Sequence, residues 1–467
     1  MIFIVIVIAF RQCFTIRTRS EIMLRAAAGA LSAFLLLGLM YAGYGLASPD
    51  DFNESPQLIA LLADYVQRLL PIGLLSGIEP EFVPVGRISL LVYQCVGPVF
   101  WIIALLCAWD CLRDRSMVND ASRHRVDEII PLGGESMSFM TTWEGNDYWF
   151  SATGRSAIAY RVSYGIALTV TGPFGDPSEY ADDLIDFATF CARHSWTPVF
   201  YSVHESQRAE LTKAGWDSLD VGTEMVVNPN EWQTRGKKWQ DVRTAINKAK
   251  RDGITDVLTT FKEAPFSVQT QIREISAQWA GKKALPEMGF TLGGVDELID
   301  SRVRLLYAVD GNGKVLGVTS WLPTYRDGTI IGWTLDFMRH RTDSVNGIME
   351  FLIARMAERL RDEGNVEFMS LSAAPLAGMG SNESEHEESE VLRHALQMVA
   401  DIMEPAYGFH SLFRFKLKFH PDEEKVYICY PDAAKLPQIS LAVAQAYVPS
   451  LTPAEAMRFV RTIAPRD

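Results

Sequence analysis

Between Gly332 and Glu350 the chain reads GWTLDFMRHRTDSVNGIME, and several of these side chains can do chemistry. Asp336 follows the apolar run IIGWTL and precedes Phe337, so its carboxylate is predicted to be partly desolvated. Desolvation raises a carboxyl's proton affinity and suits it to general-base work. Arg339 could hold a phosphate, or a carbonyl oxygen that turns negative in a tetrahedral intermediate; Arg341 is the second choice. Glu350 falls about one turn into the helix expected after Gly347. Asn346 and Ser372 are candidates for hydrogen bonds to an ester. His340 stands beside Arg339. Structural readings compete: Asp336 as the cap of a strand end, and Glu350 as a complement to the helix dipole.

Two basic stretches stand out in a chain of net charge −13. In SLFRFKLKFHP, Phe413, Phe415, Leu417 and Phe419 alternate with Arg414, Lys416 and Lys418. Alternation predicts a strand with the three cations on one face, about 7 Å apart. They fit a bound anion or a solvent-screened edge. In RGKKWQDVRTAINKAKRDG, residues 235–253, Trp239, Val242, Ile246 and Ala249 form one helical stripe. Lys237, Lys238, Arg243 and Lys248 surround it. A basic helix of this kind is a solvated face or a docking surface for phosphates, of nucleic acid or of the anionic inner leaflet.

The elements that hold these groups follow from hydropathy. Ala26–Ala47 and Ile88–Trp109 are each 22 residues without a charge, long enough as helices to cross about 30 Å of hydrocarbon. MIFIVIVIAF at the start is a shorter, partial segment. Basic flanks before the first span and after the second, with an acid-rich loop between, put the loop outside and everything after residue 112 in the cytoplasm. The six cysteines and eight histidines show no zinc spacing, and no GxxxxGK[ST] occurs. No metal or cofactor is expected.

From residue 126 strand and helix signals alternate twice, which predicts an α/β fold. The expected organisation is a membrane region (1–125), a first α/β domain (126–228), a second, catalytic one (229–435) and a helical tail (436–467). The run of strand, RHRTDSVNGIMEFL and helix resembles the N-acetyltransferase (GNAT) fold, in which a glycine loop offers N–H groups to pyrophosphate at a helix N-terminus. The loop here has Gly347 where that pattern has two glycines, which points to an acyl donor other than coenzyme A.

Seven motifs in order, GKKWQDVRTAINKAKRDG, WLPTY, LDFMRH, NGIMEFL, LSAAPLAGMG, SLFRFKLKFHP and VYICYP, resemble the synthase domain of the multiple peptide resistance factor family, the phosphatidylglycerol lysyltransferases. The likeness covers about residues 130–432. It implies a duplicated GNAT-like domain behind transmembrane helices at the cell membrane. It implies transfer of an aminoacyl group, lysyl first, from aminoacyl-tRNA to a glycerol hydroxyl of phosphatidylglycerol, and resistance to cationic antimicrobial peptides. Asp336 and Glu350 would then face the substrate ammonium groups, with Asp336 or the tRNA ribose hydroxyl taking the lipid proton. The basic strand and helix would face tRNA and lipid phosphates. Family members carry a many-helix flippase in front; two spans and a partial segment here predict synthesis without flipping, or a start inside a longer gene. The rival readings are a GNAT-like transferase with another donor or acceptor (alanyl-tRNA, a peptidoglycan precursor, acetyl-CoA) and a non-catalytic membrane-tethered module binding RNA or anionic lipid. Tolerance of Asp336→Asn and Glu350→Gln would favour the module.

Overall fold

The computed structural model describes residues 20–69, 82–113, 120–281, 289–375 and 409–447. The partial apolar segment 1–10, the acidic run 381–390, the helix expected over 391–408 and the tail beyond residue 447 lie outside the described residues. The chain divides into two compact units, residues 1–117 and 118–467.

In the first unit α1 (Ser20–Ala47) and α3 (Arg87–Arg113) are long and apolar enough to cross a membrane. The segment between them is not only the acidic loop expected, because α2 (Leu58–Leu69) folds there. Leu61, Tyr65 and Leu69 are buried in the unit while Leu58, Ile59, Leu62 and Val66 stay exposed. Asp64 on α2 is also buried, paired with Arg68 at 2.8 Å and accepting the Tyr41 hydroxyl. A pair in apolar surroundings needs such additional hydrogen bonds to offset its lost hydration.

The second unit opens on α4 (Asp120–Ile129) and is built on one mixed sheet. Its first half runs β1 (Asp147–Phe150), β2 (Ser156–Ser163), β3 (Ile166–Thr169), β4 (Phe174–Gly175), α5 (Tyr180–Arg193), β5 (Thr197–Val203), α6 (Glu205–Lys213) and β6 (Asp217–Val227). The second runs α7 (Gln240–Arg251), β7 (Thr255–Thr259), α8 (Phe266–Gly281), β8 (Arg304–Val309), β9 (Val315–Arg326), β10 (Thr329–His340), α9 (Ile348–Glu363), β11 (Phe368–Pro375), α10 (Phe409–Leu417) and β12 (Asp422–Tyr430). Helix α11 (Leu436–Tyr447) closes the described chain, with Ile439, Ala442, Val443 and Tyr447 buried.

Both halves follow one plan: an antiparallel meander, a crossover helix (α5 or α9), and a strand parallel to the last of the meander. This is GNAT-like topology, and it occurs twice. The strand order β1-β2-β3-β5-β12-β6-β11-β10-β9-β8-β7 then reads nearly the same from either end. The last strand of each half crosses over: β6 pairs with β11 and β12 with β5, while β6 and β12 pair with each other at the centre. Exchange of this kind joins the halves in one sheet within one compact unit.

The alternation in SLFRFKLKFHP does not make a strand. Residues 409–417 are α10, so successive side chains turn about 100° and the cations do not share a face. Arg414 is exposed, Lys416 is buried and Lys418, just past the helix, is half-buried. The helix is favoured because Phe413, Phe415 and Leu417 all pack on the core beneath α9 and β11, with Phe419 fully buried.

Candidate active site

The site is built where β10 and β11 part. They pair in parallel only from Gly332–Thr334 against Phe368–Ser370. The aromatic and β-branched run TIIGWTL makes β10 a strand, and Gly332 lets the Phe368 ring lie against it, since a Cβ there would meet that ring at 2.3 Å. Beyond Leu335 a bulge sets Asp336 and Phe337 together opposite Ser320 of β9. The Phe337 N–H donates to the Ser320 hydroxyl at 3.0 Å. Bulges re-aim side chains beside active sites, and this one turns Asp336 toward the segment 290–297.

The Asp336 carboxylate is partly sequestered. Oδ1 accepts from the Gly293 N–H at 2.9 Å, whereas Oδ2 is buried with no hydrogen-bond partner among the described residues. Burial raises its pKa, the Gly293 hydrogen bond opposes the rise, nearby Glu297 adds to it and Arg339 opposes it; the result is about 7. Arg339 itself is buried against α8, donating to the Ser276 hydroxyl and lying 4.1 Å from the Trp279 ring centre and 4.4 Å from that of Phe337.

On β11 a matching bulge spans Ser370 to Ala373 against β6, with Ser372 in left-handed backbone at φ 67°. The first half repeats it: β5 bulges against β12 and Ser202 has φ 57°. Ser202 and Ser372 line one small cavity of about 30 Å³ with Tyr201, Thr291, Leu292 and Tyr447, room for about one water. The Lys416 ammonium reaches the second bulge, donating to the Ser372 carbonyl at 3.1 Å and the Ala373 carbonyl at 3.2 Å. Burial lowers its pKa to about 7 against the pull of Glu224.

A charged network joins the halves behind this bulge, and no local sequence motif announces it. His204 lies between Glu135 and Glu224, one ring nitrogen 2.7 Å from each carboxylate. Glu224, 1% exposed, also accepts the Ser370 hydroxyl. Burial opposes a charge on His204, yet its bonds to Glu135 and Glu224 outweigh that and carry its pKa to about 11. Burial likewise opposes ionised Glu224, and His204 outweighs it, so the Glu224 pKa is lowered. The one available signal was an acid inside the apolar strand GTEMVV.

The other candidates lie apart from this cluster. Glu350 is bound by Lys418 at 2.7 Å. Asn346 is exposed in the turn before α9, where Gly347 takes φ 95° and, having no Cβ, leaves room for Ala245 of α7. Lys237 and Lys238 are exposed and Lys248 half-buried, around the buried Trp239, Val242 and Ala249. Arg243 instead ties down its own turn, donating to the carbonyls of Thr234 and Gly236 at 2.6 Å each.

Residues 128–430 match the family model described as phosphatidylglycerol lysyltransferase, C-terminal. An uncharacterized protein of Corynebacterium glutamicum is 31% identical over 453 residues, covering 96% of this chain and 56% of that protein. A lysylphosphatidylglycerol biosynthesis bifunctional protein of Gordonia bronchialis is 26% identical over 312 residues, covering 66% of this chain and 27% of that one. The chain thus spans about half the length of the first relative and about a quarter of the second. The structure of L-PGS from Bacillus licheniformis superposes with a TM-score of 0.59 at 21% identity, covering 69% of this chain and 94% of that one. The C-terminal domain of an Agrobacterium fabrum protein gives 0.60 at 20% identity, over 71% and 99%. At these identities the likeness is one of fold.

Proposed function

The chain belongs to the phosphatidylglycerol lysyltransferase C-terminal family, and from that premise we propose that it moves an aminoacyl group, lysyl first, from aminoacyl-tRNA to a glycerol hydroxyl of phosphatidylglycerol. One observation carries the assignment of its centre: the Oδ2 of Asp336, without a hydrogen-bond partner among the described residues and set by a bulge at the point where two parallel strands part. One ester is exchanged for another. The lipid hydroxyl adds to the aminoacyl carbonyl while Asp336 takes its proton. The tetrahedral intermediate then collapses, and the departing tRNA ribose oxygen takes a proton back. A carboxyl with a pKa of about 7 suits both transfers, because a base works best when its pKa lies near the working pH. The buried guanidinium of Arg339 is a positioning group in this reading, supporting the ionised form of Asp336 from its own strand.

The helices α1 and α3 would hold the unit at the anionic inner leaflet, cytoplasmic by the charge of their flanks. The product carries added positive charge, which would weaken the attraction of cationic peptides. The exposed Lys237 and Lys238, with Lys248, are assigned to tRNA phosphates, and exposed Arg414 to a phosphate of either substrate. Reversing two charges in Lys237→Glu with Lys238→Glu is expected to raise the KM for tRNA at least about tenfold, with kcat held within about threefold. The wild-type KM should rise with salt, and the variant's should rise less steeply. An unchanged KM would remove this face from the tRNA site.

The deciding assay uses the full chain, phosphatidylglycerol vesicles, and tRNA charged with radiolabelled lysine or, separately, alanine. Thin-layer chromatography reads label in lipid. Label from lysyl-tRNA is expected. Label only from alanyl-tRNA would change the amino acid, and label from neither would overturn the assignment.

A further inference from the structure

Gly293 has no backbone reason to be glycine, since its φ lies outside the left-handed region. A side chain is excluded there by one neighbour. A Cβ on Gly293 would stand 2.0 Å from Asp336 Oδ2 and 2.8 Å from its Cγ. The same residue gives its N–H to Oδ1. One glycine therefore binds one oxygen of the carboxylate through its N–H and, by lacking a side chain, makes room for the other.

The segment around it is anchored at both ends. Thr291 Oγ1 lies 2.8 Å from the Tyr447 hydroxyl, which is 2.9 Å from that of Tyr201. The Phe290 ring, 1% exposed, packs against Tyr201 and Tyr447 at 5.5 and 5.4 Å between ring centres. On the other side the Gly294 N–H donates to Glu297 at 2.7 Å. Glu297 lines an open groove of about 880 Å³ with Arg123, Asp127, Lys262 and Arg302. Helix α11 is thereby tied, through one hydroxyl, to the strap that touches the reactive carboxylate.

We propose that Gly293 is the positioning residue for Asp336, and that the strap Phe290–Gly294, pinned by Tyr447, fixes the orientation of its carboxylate. The inference rests on Asp336 as the general base. The charged groups facing that carboxylate are Glu297 beyond the strap and Arg339 on its own strand, while β9 offers the uncharged Ser320. Of these contacts the strap's N–H is the one a substitution at a distance can loosen. Because that hydrogen bond favours the ionised form, loosening it raises the proton affinity of Asp336. The acid limb of the activity profile then moves to higher pH.

Two variants test this, with the full chain in vesicles. Gly293→Ala should lower kcat at least about tenfold while the KM for tRNA stays within about twofold, as befits a residue that acts through the general base and not through substrate binding. Tyr447→Phe, which acts on Asp336 only through the strap, should shift the acid limb upward by at least half a pH unit and lower the high-pH kcat less than Gly293→Ala does. A melting-temperature cycle supplies a readout apart from activity. Gly293→Ala should destabilise the wild type but not the Asp336→Ala background, because the clash is with that side chain. Equal destabilisation in both backgrounds, or an unmoved acid limb in Tyr447→Phe, would overturn the proposal. If Asp336→Asn kept full transfer, the base assignment would fall instead, while the melting cycle would still report the contact.

Discussion

Asp336→Asn is expected to abolish lipid labelling to within a residue of about 10⁻² to 10⁻⁴ of the wild-type kcat, the range a positioned general base supplies. Asparagine keeps the shape and can still accept from the Gly293 N–H, so geometry is preserved and only the proton acceptor is lost. Stability should move the other way. The folded pKa is about 7, above the ordinary carboxyl value, so between about pH 4 and 7 the folded chain holds a proton that the unfolded chain has released. Stability from this group is therefore unimpaired below pH 4, falls as pH rises toward 7, and stays reduced above it. The plateau cost is on the order of 4 kcal/mol at most. Asparagine never ionises, so the variant should melt above the wild type at pH 8 and converge with it near pH 4. A variant that keeps kcat within tenfold would exclude Asp336 as base. A variant that melts lower at both pH values would show that the carboxylate is held by contacts rather than strained by burial.

The same residue shows what could be read from sequence. IIGWTL before an acid gives both the strand and the desolvation, and both are local. The two long apolar helices and the twice-repeated alternation of strand and helix are local as well and carried the membrane segments and the α/β class, whereas the GNAT-like part rested on the resemblance of RHRTDSVNGIMEFL and the ordered motifs. Residues 409–417 were not legible in this way. Strict alternation fits a strand, but nine residues are also two and a half helical turns, and burial on several sides let the helix keep Phe413, Phe415 and Leu417 in contact with the core. That change of element separates Lys416 from Arg414. It turns an apparent row of cations into one buried ammonium on two carbonyls and one exposed guanidinium. The exchange of β6 and β12 had no signal, because a strand's own residues read alike beside any neighbour. The bulges at Ser202 and Ser372 arise from how the strands register, which no window of sequence contains. Gly293 and Gly294 were visible as a glycine pair, but the partner that forbids a side chain at Gly293 lies 43 residues on.

Glu224→Ala should be among the most damaging single changes for stability, and its pH dependence tests the cause. Glu224 reaches two parts of the site at once: it accepts from Ser370 at the bulge of β11 and pairs with His204 at the end of β5. Without it, a buried imidazolium keeps only Glu135, the Ser370 hydroxyl loses its acceptor, and Lys416 loses its attracting charge. Breaking a buried pair from one side costs about 3–5 kcal/mol, read as a lower denaturant midpoint at constant slope. The signs fix the window. Glu224 has a lowered folded pKa, so its contribution is present above the ordinary carboxyl range and lost as pH falls through it. His204 has a raised folded pKa of about 11, so its contribution is complete below about 6.5 and is lost as pH climbs toward 11. The difference between wild type and variant should therefore be greatest between about pH 5 and 6.5 and shrink steadily to pH 10. Glu224→Gln, which keeps an acceptor for Ser370 but not the charge, should recover part of the loss near pH 10 and little of it near pH 6. A difference that stays flat from pH 5.5 to 10 would mean that His204 is not the charged partner, and that Glu224 supports the bulge through Ser370 alone.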